Sequence, residues 1–382
     1  MDHRGAFLDW LGCAVGGWEE PATPAARSLG QTLPERVSAL GAAGHVLDFD
    51  DTYLPGLAHL SAPTAPSALA LGAELNRTVG EVTDAYAEGF EAMGAFAAAS
   101  HPALYERGWH PTAVCGTTGA AVAAARLLGL DEDARRSAVA LSLLRASGLQ
   151  AAFGSEGKAL QVGLAAAAGV EAARLAAGGA RVPLGRAAEG FERATGGRFV
   201  EPAGARAIEL NWVKPWPCCL QSHGAIELAA RAREDGVAAG VAVTVTVHPI
   251  SLAAASLGPD VRDGLEARFS IPYLTALTLA HGPPGVEDLR RVDGGVREFA
   301  RRVSVAADPG LLESAALLEA GPLVLRLDAA VGSPQRPLGR DALAAKVRGL
   351  AGDRLDGVLD DPSRPAREIL RAAQLEEAAS RS

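Results

Sequence analysis

Apolar residues recur at i, i+3 and i+4 through most of the N-terminal half of the chain. That spacing predicts helices over 7–16, 34–48, 65–75, 79–99, 112–130, 132–145, 158–177 and 184–194, most of them bounded by Gly, Pro or Asp. Alanine and glycine dominate their faces, as in Gly119-Ala120-Ala121-Val122-Ala123-Ala124-Ala125, which lets helices approach closely in a large core. After residue 212 the pattern changes. Positions 241–247 alternate as a half-buried strand, 303–305 and 323–327 read as further strands, and 224–233 and 267–280 are helical between them. Helical spacing then returns over 340–350 and 366–379. The fold predicted is mainly α. A large all-helical domain is built from 1–212 and from 337–382, whose C-terminal helices return to it, and a smaller α+β domain occupies 213–336.

The two patterns meet at Lys214-Pro215-Trp216-Pro217-Cys218-Cys219-Leu220-Gln221-Ser222-His223. Two prolines, each lacking an N–H, exclude a continuous helix and push Lys214 and Trp216 toward extended geometry. A stiff connector carrying polar groups suits a hinge, and it suits an ordinary interdomain linker with a snorkelling lysine as well. A chain of 382 residues, 48% hydrophobic, is long and apolar enough for two cores. The net charge of −9 and a pI near 5.5 exclude a surface built for nucleic acid, whose phosphates require clustered Lys and Arg. A small molecule or a protein is the expected partner. The first apolar stretch is short and contains Asp9, and Arg126, Asp131, Arg135 and Arg136 interrupt the Ala-rich segments. Neither a signal peptide nor a membrane span is read, and a cytoplasmic location is expected.

Cys13, Cys115, Cys218 and Cys219 show no C-x-x-C spacing, and adjacent cysteines make a poor disulfide, so reduced thiols are expected. The eight histidines form neither H-x-x-x-H nor H-E-x-x-H pairs, and no metal site is read from their spacing. Of the 36 basic residues only Lys158, Lys214 and Lys346 are lysine. A compact ammonium enters places that a planar guanidinium does not, although a codon-biased composition explains the scarcity equally well. Asp48-Phe49-Asp50-Asp51-Thr52 sets three carboxylates at the end of the helix predicted over 34–48, against its macrodipole, where a turn cap accounts for one of them. His59 follows in a loop containing Pro and Gly. His110 precedes a helix whose first-turn N–H groups can receive an anion. Gly154-Ser155-Glu156-Gly157-Lys158 repeats that design with a lysine that opposes the dipole, a conflict an anionic ligand would resolve.

Taken in order, D-F-D-D-T with His59, G-W-H-P-T-A-V-C-G-T-T-G-A-A, G-K-A-L-Q-V-G, K-P-W-P-C-C-L-Q-S-H-G-A-I-E, A-R-F-S-I-P-Y ending in Tyr273, and P-L-G-R-D-A-L-A-A-K-V make the chain resemble the MmgE/PrpD family. The resemblance covers nearly the whole sequence. It implies a large helical domain with a smaller α+β lid, a homodimer, and an enzyme that acts on a small polycarboxylate with neither metal nor organic cofactor. The family includes 2-methylcitrate dehydratases, cis-aconitate decarboxylases and an iminodisuccinate epimerase. By position in these motifs, Asp48, His59, His110 and Tyr273 are implied as catalytic, and Lys158, Lys214 and Cys219 as substrate-binding.

Cys219 stands where decarboxylase-like members carry a second histidine, which turns the expectation toward a hydro-lyase that dehydrates a hydroxy-polycarboxylate such as a 2-methylcitrate-like acid. The alternatives are decarboxylation, isomerisation or epimerisation of a related acid, and a non-catalytic dimeric binding protein with the same fold. A reaction of this kind needs a base, an acid and cations to hold enediolate-like charge. Lys158 and Lys214 are expected to anchor carboxylates, His110 and Asp48 to move protons, and His59 and Tyr273 to orient or protonate.

Overall fold

The structure, a computed structural model, describes residues 1–203 and 206–376. Its described residues form seventeen α-helices and two small sheets, a mainly α fold with a smaller α+β part. The chain sorts into two compact units. The larger comprises Met1–Val46, Asp50–Trp212 and the chain from Gly339 on, and the smaller comprises Leu47–Phe49 and Val213–Leu338.

The larger unit begins with α1 (His3–Gly16), α2 (Ala22–Arg27), α3 (Leu33–His45), α4 (Ser61–Glu74) and α5 (Val79–Ser100). It continues through α6 (Ala103–Glu106), α7 (Pro111–Leu127), α8 (Glu132–Leu144), α9 (Gly157–Ala177) and α10 (Leu184–Thr195). Local chemistry sets the starts of these helices. At α5 the Thr78 hydroxyl accepts from the Glu81 N–H at 3.2 Å while the Glu81 carboxylate accepts from the Thr78 N–H at 2.8 Å, a reciprocal capping box. Asp131 caps α8 by accepting from the Ala134 N–H.

The unit is organised on α9, against which α3, α7 and α8 pack. Small residues make this possible. A Cβ placed on Gly163 of α9 would lie 2.2 Å from the Ser38 carbonyl oxygen of α3, and one on Gly169 would lie 2.4 Å from the Thr117 carbonyl oxygen of α7. By length and composition α9 could cross a membrane, and 61% of that stretch is buried inside the structure. A two-stranded antiparallel sheet of β1 (Thr52–Tyr53) and β2 (Asn211–Trp212) belongs to the same unit.

The smaller unit carries α11 (His223–Glu234), α12 (Pro249–Ala254), α13 (Gly264–Ala267), α14 (Ile271–His281) and α15 (Gly294–Ala300). Its sheet contains β3 (Val243–Val247), β4 (Val303–Ala307), β5 (Ala316–Ala320) and β6 (Leu323–Leu327) in the order β4-β3-β5-β6. Only β3 and β4 pair in parallel; the other pairs are antiparallel. The inward positions Val243, Val245 and Val247 of β3 are buried, as the alternation predicts. Helices α16 (Arg340–Ala351) and α17 (Arg367–Ala373) belong to the larger unit.

Three expectations change. The helix predicted to run to residue 48 stops at His45, and Asp48 has a left-handed φ of 51°. The segment over 20–26, outside the predicted helices, contains most of α2. Of the helix predicted over 366–379 only 367–373 is helical, as α17, which ends at a left-handed Gln374, and 377–379 lie outside the described residues.

Candidate active site

In the larger unit the chain leaving α3 turns three acidic and imidazole groups inward. His45 Nδ1 lies 2.8 Å from Asp50 Oδ2, and the rings of His45 and His59 meet edge to face with centroids 4.6 Å apart. His59 Nδ1 is 2.7 Å from the Asp51 carbonyl oxygen and 3.5 Å from Asp50 Oδ2. A carbonyl oxygen only accepts, so His59 Nδ1 carries the hydrogen, and in the neutral ring Nε2 holds the lone pair. His59 therefore presents a base at Nε2. The backbone fixes its position further, because the His59 N–H donates to Thr112 Oγ1 at 3.1 Å.

One ring nitrogen each of His45 and His59 and a carboxylate oxygen of Asp50 also lie within 4.8 Å of one another, close enough to converge on a cation. Coordination through Nδ1 would require His59 to give up the hydrogen it donates to the Asp51 carbonyl. It would also leave the His59 lone pair facing the Asp51 carbonyl, so the donor set fits a hydrogen-bonded relay better than a metal centre.

Asp51, the last acid of the run, is fully buried. Its Oδ2 accepts from Ser61 Oγ at 2.6 Å and from Asn211 Nδ2 at 2.8 Å, and Tyr86 OH lies 2.6 Å from the same Ser61 oxygen. Burial raises the Asp51 carboxyl to about 7, with repulsion from Asp50 adding to it; the bonds from Ser61 and Asn211 pull the other way without prevailing.

His110 stands at the N-cap position of α7, its own N–H donating to the Gly148 carbonyl. Its ring stacks on His45 at 6.1 Å and meets Phe153 edge to face at 5.0 Å. Its Nδ1 is 2.6 Å from Gln161 Nε2. Lys158, buried in the first turn of α9, holds its ammonium 5.6 Å from the centre of the same Phe153 ring, a cation–π contact that eases its place at a positive helix end. His45, His59, His110 and Lys158 thus gather around the start of α9.

In the smaller unit Lys214 is fully buried and donates to Asp48, at 2.7 Å to the carbonyl oxygen and at 3.1 Å to Oδ1. The adjoining thiols are buried as well. Burial holds the Cys218 thiol well above its ordinary range, with the Lys214 ammonium drawing it partly back. The Cys219 N–H donates to the Arg268 carbonyl. Tyr273, on α14, is buried with its hydroxyl accepting from the Asp293 N–H at 3.0 Å.

The predicted residues therefore fall into two groups, His59, His110 and Lys158 in one unit and Asp48, Lys214, Cys219 and Tyr273 in the other. Sequence reasoning missed His45, Asp50 as a bridge, and Gln161. His45 was legible only as a buried helix residue, since its spacing to Asp50 matches no ligand motif. Lys346 has a structural place, paired at 2.6 Å with buried Asp9. A cavity of about 460 Å³ in the larger unit, lined by Trp18, Arg27, Arg36 and Arg371 among others, is bordered by none of the predicted residues.

Buried imidazoles, a carboxylate and an ammonium group in the larger unit, and a second buried ammonium paired with a carboxylate in the smaller one, equip a protein for acid–base chemistry on anions. The chain belongs to the MmgE/PrpD family, whose N-terminal domain it matches over residues 37–199 and whose C-terminal domain it matches over 216–364. It is similar to cis-aconitate decarboxylase of Homo sapiens, 28% identical over 359 residues, covering 85% of this chain and 74% of the relative. It is also similar to cis-aconitate decarboxylase of Aspergillus terreus, 25% identical over 414 residues, covering 92% of this chain and 84% of the relative.

Proposed function

We propose that this protein is a lyase that acts on a small polycarboxylate by acid–base chemistry, and that its reaction is the dehydration of a hydroxy-polycarboxylate. The observation that carries this reading is the 2.7 Å contact of His59 Nδ1 with the Asp51 carbonyl, which leaves the lone pair of the neutral ring on Nε2, in the unit that also contains Lys158 and His110. Family membership and relatives named for a reaction of cis-aconitate support the substrate class.

In the proposed reaction Lys158 and Lys214 bind substrate carboxylates, and Cys219 contacts the substrate. His59 Nε2 takes the proton from carbon next to a carboxylate. The electron pair of that C–H bond forms the C=C bond, the C–O bond breaks, and the proton passes from His59 to the departing hydroxyl, which leaves as water. His110 donates a hydrogen bond to the negative charge that builds up, and Asp48 and Tyr273 orient or relay. The steps use side chains alone. A homodimer in the cytoplasm is part of the same reading.

The names of the relatives favour a second reading, decarboxylation. There the C–C bond to a carboxylate breaks, its electron pair stays on the carbon skeleton as CO₂ leaves, and His59, having taken up a solvent proton at Nε2, delivers it to carbon. Incubation with citrate-, aconitate- and maleate-type acids, followed by mass spectrometry, separates the two. Loss of water is expected; release of CO₂ selects the second reading. Absence of turnover across the panel, with no ligand-dependent rise in melting temperature, would overturn both. His110→Ala should lower kcat by roughly 10²–10³-fold at an unchanged melting temperature, as loss of one donor to developing charge does.

A further inference from the structure

We infer that Gln161 is a positioning residue that fixes the tautomer of His110, keeping Nδ1 bare and the hydrogen on Nε2. The inference rests on the acid–base reading above for its use, though not for its geometry. Gln161 lies on α9 one turn after Lys158, within the G-K-A-L-Q-V-G stretch.

An amide can be turned either way, and here the main chain of Leu149 decides. Gln161 Oε1 accepts from the Leu149 N–H at 2.9 Å, and Gln161 Nε2 lies 3.1 Å from the Leu149 carbonyl oxygen. The flipped amide would set an NH₂ against an N–H and an oxygen against an oxygen, losing both bonds. The group aimed at His110 is therefore a donor, and at 2.6 Å its acceptor is the Nδ1 lone pair. A neutral imidazole with Nδ1 accepting carries its hydrogen on Nε2.

Two consequences follow for the ring. His110 shows its surroundings an N–H, the complement of His59, whose Nε2 is the bare atom. Protonation to imidazolium would place a hydrogen on Nδ1 against the Gln161 amide, so the contact favours the neutral ring. His110 is thus held as a neutral hydrogen-bond donor and not as a second base. The loop is held to the same purpose: the His110 N–H bonds the Gly148 carbonyl, and Gly148 lacks the side chain that would press on Gln161 and Ala113, its φ being 123°.

The test is nitrogen NMR of the full chain labelled at histidine, without substrate, with the His110 signals assigned by their loss in His110→Gln. The unaltered protein should give the signature of a bare Nδ1 and a protonated Nε2. Gln161→Glu keeps an oxygen for the Leu149 N–H and removes the donor, so Nδ1 should become protonated, with kcat lowered roughly 10–100-fold if the ring serves as a donor. A protonated Nδ1 in the unaltered protein, which needs no variant to fold, would overturn the assignment. So would an unchanged Nδ1 signal in Gln161→Glu. If the signals behave as stated and no acid is turned over, the tautomer stands and the functional reading falls.

Discussion

Lys214 donates to Asp48 twice, at 2.7 Å to its main-chain carbonyl and at 3.1 Å to its carboxylate, with both side chains buried. The left-handed φ of 51° at Asp48 is tolerated because a short polar side chain can bond locally. Removing one member of such a pair strands the other charge in a low-dielectric setting. Lys214→Met should therefore destabilise the protein by about 3–5 kcal/mol, and Asp48→Asn, which keeps the left-handed backbone, by less. Denaturant melts of the single variants and of the double variant check this: the double should cost less than the sum of the singles.

Asp51 makes stability depend on pH. Its folded carboxyl titrates at about 7 against an ordinary value of 3.8, so between those values the folded chain holds a proton that the unfolded chain has lost. Its contribution is complete below the unfolded value and is lost as pH rises through about 7, each unit being worth about 1.4 kcal/mol. Melting temperatures over that range should show a downward slope that Asp51→Asn reduces.

The crossing of α3 and α9 leaves no room for a methyl group. Gly163→Ala gains about 1 kcal/mol of helix propensity, yet its Cβ would fall 2.2 Å from the Ser38 carbonyl oxygen. Overpacking of this kind costs about 1–3 kcal/mol, so the variant should be less stable, with Lys158 and Gln161 displaced and activity lowered. Gly190→Ala on α10, where nothing lies within 4 Å of the added carbon, should be neutral or stabilising. Melts of the two variants side by side give the comparison.

Lys346 and Asp9 join α16 to α1 through a buried pair of 2.6 Å. Lys346→Met should lower stability by about 3–5 kcal/mol without altering KM for whatever acid is turned over. Calorimetry and steady-state kinetics on the same preparation separate the two effects.

Periodicity made most of the helices legible, because α5, α9 and α10 bury residues at helical spacing and α7 is buried along nearly its whole length. It failed at β5, whose Ala-Leu-Leu-Glu-Ala reads as helix by propensity and is a strand because β3 and β6 supply partners on both edges. It also carried α3 too far, since nothing in local spacing announces a left-handed turn at an aspartate. The scarcity of lysine singled out three places where an ammonium is buried, but it did not distinguish Lys346, a pillar between helices, from the other two. His45 and Gln161 were invisible for another reason. Each acts through a neighbour brought close only by folding, at 2.8 Å to Asp50 and at 2.6 Å to His110.

The excursion of Leu47–Phe49 into the smaller unit bears on how the protein can be dissected. A recombinant fragment cut at 213 and 338 would look like a clean module on a linear map, yet it would leave behind the carboxylate that neutralises Lys214. Such a fragment should be poorly soluble or molten, and grafting the three-residue segment back through a short linker should do more for it than lengthening either end.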